Sequence, residues 1–305
     1  MAPQQAPNNA PSGMIGIWLA AIRPKTLLLS LGPVILSALI GGREGSLTYW
    51  YLFPIIALAA MAIQIATNLW NDAADSDSGL DDQTTRLGPA RMTSMGLLSA
   101  QQVRLAALLF LAIASLCGLF LVFAGGWPIL AIGLAGIICA LAYSSGPYPI
   151  AASPFGEAFV LAFFGLFAVA GSHYLLTGFW SQMALVAGLY AGLPAAAVLI
   201  MNNHRDRIGD EQGGRRTLAI LLGPQPTKIF YTALMSVSSL GPLHLGHGSV
   251  TAIAASALLF VIALTLPIRS LWHAADAQSL NKILSQTAAF QLMWIVIFGI
   301  WLFST

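Results

Sequence analysis

Apolar runs alternate with short polar breaks along almost the whole chain. A membrane-crossing helix needs ~20 mostly apolar residues. On that rule the pattern predicts an all-α, polytopic membrane protein with nine transmembrane helices. They fall near Leu27–Ile40, Tyr51–Trp70, Val103–Phe123, Pro128–Tyr143, Phe155–Thr177, Met183–Met201, Ile229–Leu245, Val250–Leu266 and Thr287–Phe303. The first run is short and is expected to begin nearer Ile15, with Pro24 accommodated as a kink. The Gly and Ala residues inside the spans suit close helix packing in lipid. Residues 15–305 read as one transmembrane domain, preceded by a tail over 1–14 whose Pro, Gln, Asn and Ala content predicts disorder.

Two polar clusters interrupt this pattern where apolar runs end. The first is Asn68-Leu-Trp-Asn71-Asp72-Ala-Ala-Asp75, and the second runs from Asn202-Asn203-His204-Arg205-Asp206 to Asp210. Asn68, Asn71, Asp72 and Asp75 are spaced i, i+3, i+4 and i+7, which predicts one shared helix face. Asn202, Asp206 and Asp210 are spaced i, i+4 and i+8, with the same consequence. Like charges at these spacings repel by a few tenths of a kcal/mol per pair in water, and more beside lipid. A hard divalent cation removes that repulsion. Mg2+ takes one or two carboxylates and completes its shell with water and phosphate oxygens. The bland reading is a pair of solvated helix ends. Two matching clusters at the membrane edge favour a site instead.

Composition sharpens the membrane reading: 57% of the 305 residues are hydrophobic and only 8% charged. A soluble domain carries roughly 25% charged residues. Nothing in this pattern marks a nucleic-acid partner, and no basic stretch precedes a short apolar core as in a cleaved signal peptide. Cys117 and Cys139 lie inside apolar runs and read as small buried hydrophobes. No CxxC or HExxH pattern is present, so zinc chemistry has no support.

The basic residues fix an orientation. With nine spans and the N-terminus in the cytoplasm, twelve bases lie inside: Arg23, Lys25, Arg86, Arg91, Arg104, Arg205, Arg207, Arg215, Arg216, Lys228, Arg269 and Lys282. Only Arg43 lies outside, as the positive-inside rule expects. Both clusters then fall on the cytoplasmic side, facing each other across a central cavity. The stretches that begin within them, about Asn71 to Arg104 and His204 to Lys228, hold eight of the eleven acids and eight of the thirteen bases. Acids at helix ends followed by arginines are what a metal–polyphosphate site needs, because guanidinium forks match phosphate oxygens.

These motifs resemble the UbiA superfamily of intramembrane aromatic prenyltransferases, over nearly the whole chain from Arg23 onward. The resemblance rests on Arg23-Pro24-Lys25-Thr26-Leu27, on the first cluster as NLxNDxxD, and on Arg86-Leu-Gly88-Pro89-Ala-Arg91. It continues in Tyr143-Ser-Ser-Gly146-Pro147 leading to Gly156-Glu157, and in the second cluster through Gly214-Arg215-Arg216-Thr217-Leu218. Gly79 stands where the wider superfamily has a third acid, which favours the branch that prenylates a dihydroxynaphthoate. Arg215 replaces a usual Lys, and Ile150-Ala-Ala-Ser-Pro154 lacks a tyrosine common in relatives.

The resemblance implies an Mg2+-dependent enzyme of a bacterial inner membrane. Polyprenyl diphosphate would bind through Mg2+ to Asn71, Asp72, Asp75, Asp206 and Asp210, with Asp72, Asp75, Asp206 and Asp210 as the catalytic acids. Asn68, Lys25, Arg86, Arg91, Tyr143, Asn202, Asn203 and Arg215 would contact substrates, and Arg216 is a further candidate clamp. The aromatic acceptor would be 1,4-dihydroxy-2-naphthoate, prenylated with loss of its carboxylate to give demethylmenaquinone. Trp70 and Tyr143 are candidates for steadying the allylic cation. Glu157 reads equally as a proton handler or as a helix N-terminal acid, and His204 as a bystander, since Mg2+ prefers oxygen. Other acceptors, such as 4-hydroxybenzoate, homogentisate or a glycerol phosphate, stay open, as does an ion-coupled carrier. Donor chain length and oligomeric state are also left open.

Overall fold

The computed structural model describes residues 13–77 and 91–304, and every regular element among them is a helix. Seven of these are long and apolar enough to cross a bilayer, starting at Thr26, Trp50, Ala100, Gly156, Gln182, Val250 and Ser279. In chain order the elements are α1 (Gly13–Ile22), α2 (Pro24–Arg43), α3 (Phe53–Asp77), α4 (Ala100–Ala142), α5 (Gly156–Thr177) and α6 (Gln182–Gln212). Then come α7 (Leu218–Leu222), α8 (Pro224–Ser238), α9 (Gly241–Leu245), α10 (Val250–Trp272) and α11 (Ala277–Phe303).

The start of the chain corrects the expected kink. No helix runs from Ile15 through Pro24. Instead α1 ends at Ile22, Arg23 takes a positive φ of 55°, and Pro24 opens α2. The first position of a helix tolerates proline because its N–H has no partner there anyway. The Thr26 hydroxyl donates to the Arg23 carbonyl at 2.8 Å and secures the break. Of the expected disordered tail, residues 1–12 lie outside the described residues, and Gly13 and Met14 belong to α1.

The longest helix, α4, contains a reversal. Gly126 has φ 66° and ψ −155°, a conformation open essentially to glycine alone. Ala107 and Leu111 before it and Ala140 and Leu141 after it border one small cavity beside Ala66 and Trp70. A straight helix at 1.5 Å per residue would hold Ala107 and Ala140 about 50 Å apart. The two arms therefore lie antiparallel along α3. The expected span Ile229–Leu245 is likewise divided, between α8 and α9.

Helix α5 carries a π-helical turn over Ala162–Phe167. Here Gly165 meets Gly188 and Gly192 of α6 so closely that a Cβ would stand 2.6 Å from the Gly188 carbonyl oxygen. Small residues at such a crossing let two backbones touch. The turn lays Phe163, Phe164 and Phe167 along a cavity. That cavity, about 580 Å3, is enclosed by α2, α3, both arms of α4, and α5, and its walls are mostly apolar. Gln64, Thr67 and Tyr143 are polar groups on its wall. The exposed side chains of Leu130, Leu134 and Phe159 also border it, so it is open at the side.

Packing then fixes the polar helix ends. Leu69 and Ala73 of α3 are buried against Met92, Leu98, Val103 and Ala107. A larger core joins α6, α8, α10 and α11 around Tyr231, Phe290, Trp294 and Phe298, the last two stacked 4.8 Å apart. Both clusters lie inside regular helix, because α3 continues to Asp77 and α6 to Gln212, beyond the expected ends at Trp70 and Met201.

Candidate functional site

Continuous helix keeps the four polar residues at the end of α3 on one face, but that face divides between different neighbours. At about 100° per residue, Asn68 and Asp72 fall on one flank of the stripe, and Asn71 and Asp75 about 60° away on the other. Neighbouring segments take up this difference. Asn68 donates to the Ile22 carbonyl at 3.2 Å and to Thr26 Oγ1 at 2.8 Å, and accepts from Gln64 at 3.1 Å. Asp72 is buried, and its Oδ1 accepts from the Thr93 hydroxyl at 2.6 Å. On the other flank, Asn71 Oδ1 accepts from Ser144 at 2.6 Å, while Asp75 is paired with Arg91. Trp70 adds a second tie to the same loop, donating from Nε1 to Ser145 Oγ at 2.7 Å.

The end of α6 meets this second flank. Arg215 donates from Nη2 to Asp75 at 3.0 Å and from Nη1 to Asp210 at 3.1 Å. One guanidinium thus bridges an acid of α3 and an acid of α6, far apart in sequence. Its loop is held in place from both sides: Arg215 N–H donates to the Asp210 carbonyl at 2.9 Å, and Arg216 N–H to the Ala152 carbonyl at 2.8 Å. Asp206, one turn before Asp210, is held by its neighbour Arg205 through two bonds of 2.8 and 2.6 Å. Arg205 is nearly buried and reaches Asn281 of α11 at 2.8 Å.

The remaining predicted residues are placed as follows. Asn203 is buried and donates to Glu157 Oε1 at 2.9 Å. Asn202 is half-buried and makes no side-chain hydrogen bond among the described residues. Tyr143 follows the last residue of α4 and borders the cavity. Burial pushes its hydroxyl well above the ordinary tyrosine value, the Glu157 and Asp75 carboxylates add to this, and Arg215 opposes it. Lys25 lies in the first turn of α2, while Arg86 and Gly79 fall outside the described residues. Spacing alone did not single out Thr93, Ser144 or Asn281, which have no periodic signal of their own, although Ser144 lies in the Tyr143-Ser-Ser motif.

This arrangement suits a hard cation with an anionic substrate. The donors Asn71, Asp72, Asp75, Asp206 and Asp210 are all oxygen ligands, the type Mg2+ selects. Among the described residues no group of three His, Cys, Asp or Glu could hold a metal ion. An ion here would therefore lean on substrate oxygens. The Arg215 fork between Asp75 and Asp210 marks a point where these acids call for positive charge.

The family model of the UbiA prenyltransferase family matches residues 16–303. The chain is 29% identical to the 1,4-dihydroxy-2-naphthoate octaprenyltransferase of Haemophilus influenzae, over 93% of this chain and 94% of that protein. It is 32% identical to the Bacillus subtilis protein of the same name, over 87% and 82%. A UbiA homologue from Archaeoglobus fulgidus, solved with DMAPP and Mg2+, superposes with a TM-score of 0.65 at 18% identity, covering 95% of this chain and 99% of that one. An apo UbiA homologue from Aeropyrum pernix K1 gives 0.67 at 17% identity, covering 92% and 98%. At these identities the two solved structures share the fold.

Proposed function

The chain belongs to the UbiA prenyltransferase family, and from that premise we propose that it transfers a polyprenyl group from polyprenyl diphosphate to 1,4-dihydroxy-2-naphthoate, with decarboxylation, giving demethylmenaquinone in its reduced, hydroquinone form. The observation that carries this reading is the Arg215 bridge between Asp75 and Asp210, near Tyr143 on the wall of a mostly apolar cavity. The relatives named for this acceptor supply the choice of ring.

Asn71, Asp72, Asp75, Asp206 and Asp210 would hold Mg2+ together with the diphosphate. When bound, the ion neutralises charge on the leaving group. Arg91 and Arg215, freed from their acids, turn their forks toward phosphate oxygens, and Lys25, Arg86 and Arg216 are further clamps. The apolar walls take the prenyl tail and keep water from the allylic carbon as its bond to oxygen weakens. Phe163 and Tyr143 offer ring faces to the developing positive charge. We place nine crossings in the membrane, counting both arms of α4 and the α8–α9 pair, with the acids on the cytoplasmic side of a bacterial inner membrane.

Purified protein given Mg2+, one polyprenyl diphosphate and a panel of acceptors tests this. Turnover is expected with the dihydroxynaphthoate, releasing carbon dioxide and diphosphate in equal amounts. A preference for 4-hydroxybenzoate, homogentisate or a glycerol phosphate would replace the acceptor. Solute transport without diphosphate release would overturn the enzyme reading.

A further inference from the structure

Glu157 is a buried acid that this scheme leaves unused. It lies in the first turn of α5, is 4% exposed, and has one oxygen held by Asn203. The other oxygen, Oε2, is shut off from solvent and has no hydrogen-bond partner. A buried carboxylate oxygen without a donor is costly and calls for an explanation. Packing alone would be served by a neutral residue.

The surroundings give one. Asn203 stands one turn before Asp206 on α6, so Glu157 is tied to the second acidic cluster. Gly156, beside it, packs 3.6 Å from the Ile150 carbonyl oxygen, measured from a Cβ built at that glycine. Ala151 N–H donates to the Tyr143 carbonyl at 2.8 Å, which folds the loop back and brings Tyr143 to this end of α5. Tyr143 and Ile150 border the cavity, and Glu157 is buried and does not line it. Tyr143 is therefore the group that can meet an acceptor; its hydroxyl makes no hydrogen bond to Glu157 in this state, but the two interact through space, which leaves the open Oε2 as the oxygen that could take its proton.

We propose that Tyr143 and Glu157 form a proton relay for the ring acceptor, with Asn203 holding the buried end of the relay in place. The inference rests on the prenyl-transfer reading above. The ring carbon bearing the carboxylate forms its bond to the allylic carbon, and the carbon–oxygen bond to diphosphate breaks, with the electron pair leaving on diphosphate. The adjacent ring hydroxyl gives its proton to the Tyr143 oxygen while the Tyr143 proton passes to Glu157. The ring oxygen becomes a carbonyl. Carbon dioxide then leaves, its bonding pair restores the ring, and the carbonyl oxygen takes the proton back along the same path. Glu157 ends as it began.

The test compares Glu157→Gln, Glu157→Asp and Tyr143→Phe in the full-length protein with Mg2+, polyprenyl diphosphate and the dihydroxynaphthoate. Glutamine keeps the length and the bond from Asn203 but cannot take a proton. Aspartate keeps the acid but shortens its reach. The relay predicts a kcat about 100-fold down for Glu157→Gln, an unchanged KM for the donor, and partial recovery in Glu157→Asp. Tyr143→Phe, which loses only a hydroxyl, falls to a similar level, and adding Glu157→Gln to it costs little more. Glutamine outperforming aspartate, or Tyr143→Phe keeping more than about a third of wild-type kcat, overturns the relay. A wild-type protein that releases diphosphate but prenylates a different ring removes the acceptor assignment instead, and the same order of variants is then read on that ring.

Discussion

The ends of α3 and α6 carry similar clusters and hold them differently. At α3 the partners come from other parts of the chain: Thr26 for Asn68, Ser144 for Asn71, Thr93 for Asp72, and Arg91 with Arg215 for Asp75. At α6 the pairing is local, since Asp206 is held by Arg205 next to it and has a side chain 37% exposed, against 14% for Asp75. Asp210, which shares Arg215 with Asp75, and Asn203, which donates to Glu157 of α5, are the exceptions. The first cluster is thus fixed by the fold before substrate arrives, and the second is joined to it through one guanidinium. Preorganised groups of the first kind contribute most to a charge-separating step.

Breaking that join is expected to show a graded order. Removing divalent ions with EDTA abolishes turnover, and added Mg2+ restores it in an assay of diphosphate release. Asp75→Asn lowers kcat/KM by about 1,000-fold or more with the protein still folded, since Arg91 loses this carboxylate and Arg215 keeps only Asp210. Asp206→Asn also removes turnover, and near-normal activity in either variant would show that the acids are not the site. Arg215→Lys keeps a charge but loses the two-pronged reach, and is expected to cost about 10- to 100-fold in kcat/KM. Thr93→Val removes the hydroxyl that donates to a buried Asp72 oxygen and lowers stability by about 1–3 kcal/mol, read from thermal unfolding. Its effect on kcat is smaller than that of Arg215→Lys if the first cluster is as rigid as its partners imply.

Much of this was readable before any coordinates. Apolar runs placed the helices, and the i, i+4 spacing marked Asn71 with Asp75 and Asp206 with Asp210. The break between Phe123 and Pro128 already separated the two arms of α4, and Gly126 supplies the reversal. Periodicity could not see that the α3 stripe divides, because its flanks differ only in what packs against them. Thr93 and Ser144 supply those contacts from distant loops. The break at Arg23 also escaped, since Pro24 reads equally as a kink inside a helix or as the start of one. Glu157 was visible as an acid at a helix start, but its burial and its unpartnered oxygen belong to the tertiary packing.

The central claim is that acids from α3 and α6 act on one diphosphate. A double-mutant cycle of Asp75→Asn and Asp210→Asn, read as the affinity for a non-hydrolysable prenyl diphosphate in Mg2+, tests it most directly. Shared binding predicts strong non-additivity, with the second substitution costing far less than the first and a coupling of at least about 1 kcal/mol. Additive losses, within about 0.5 kcal/mol, would mean that the two helix ends bind independently and would contradict the account.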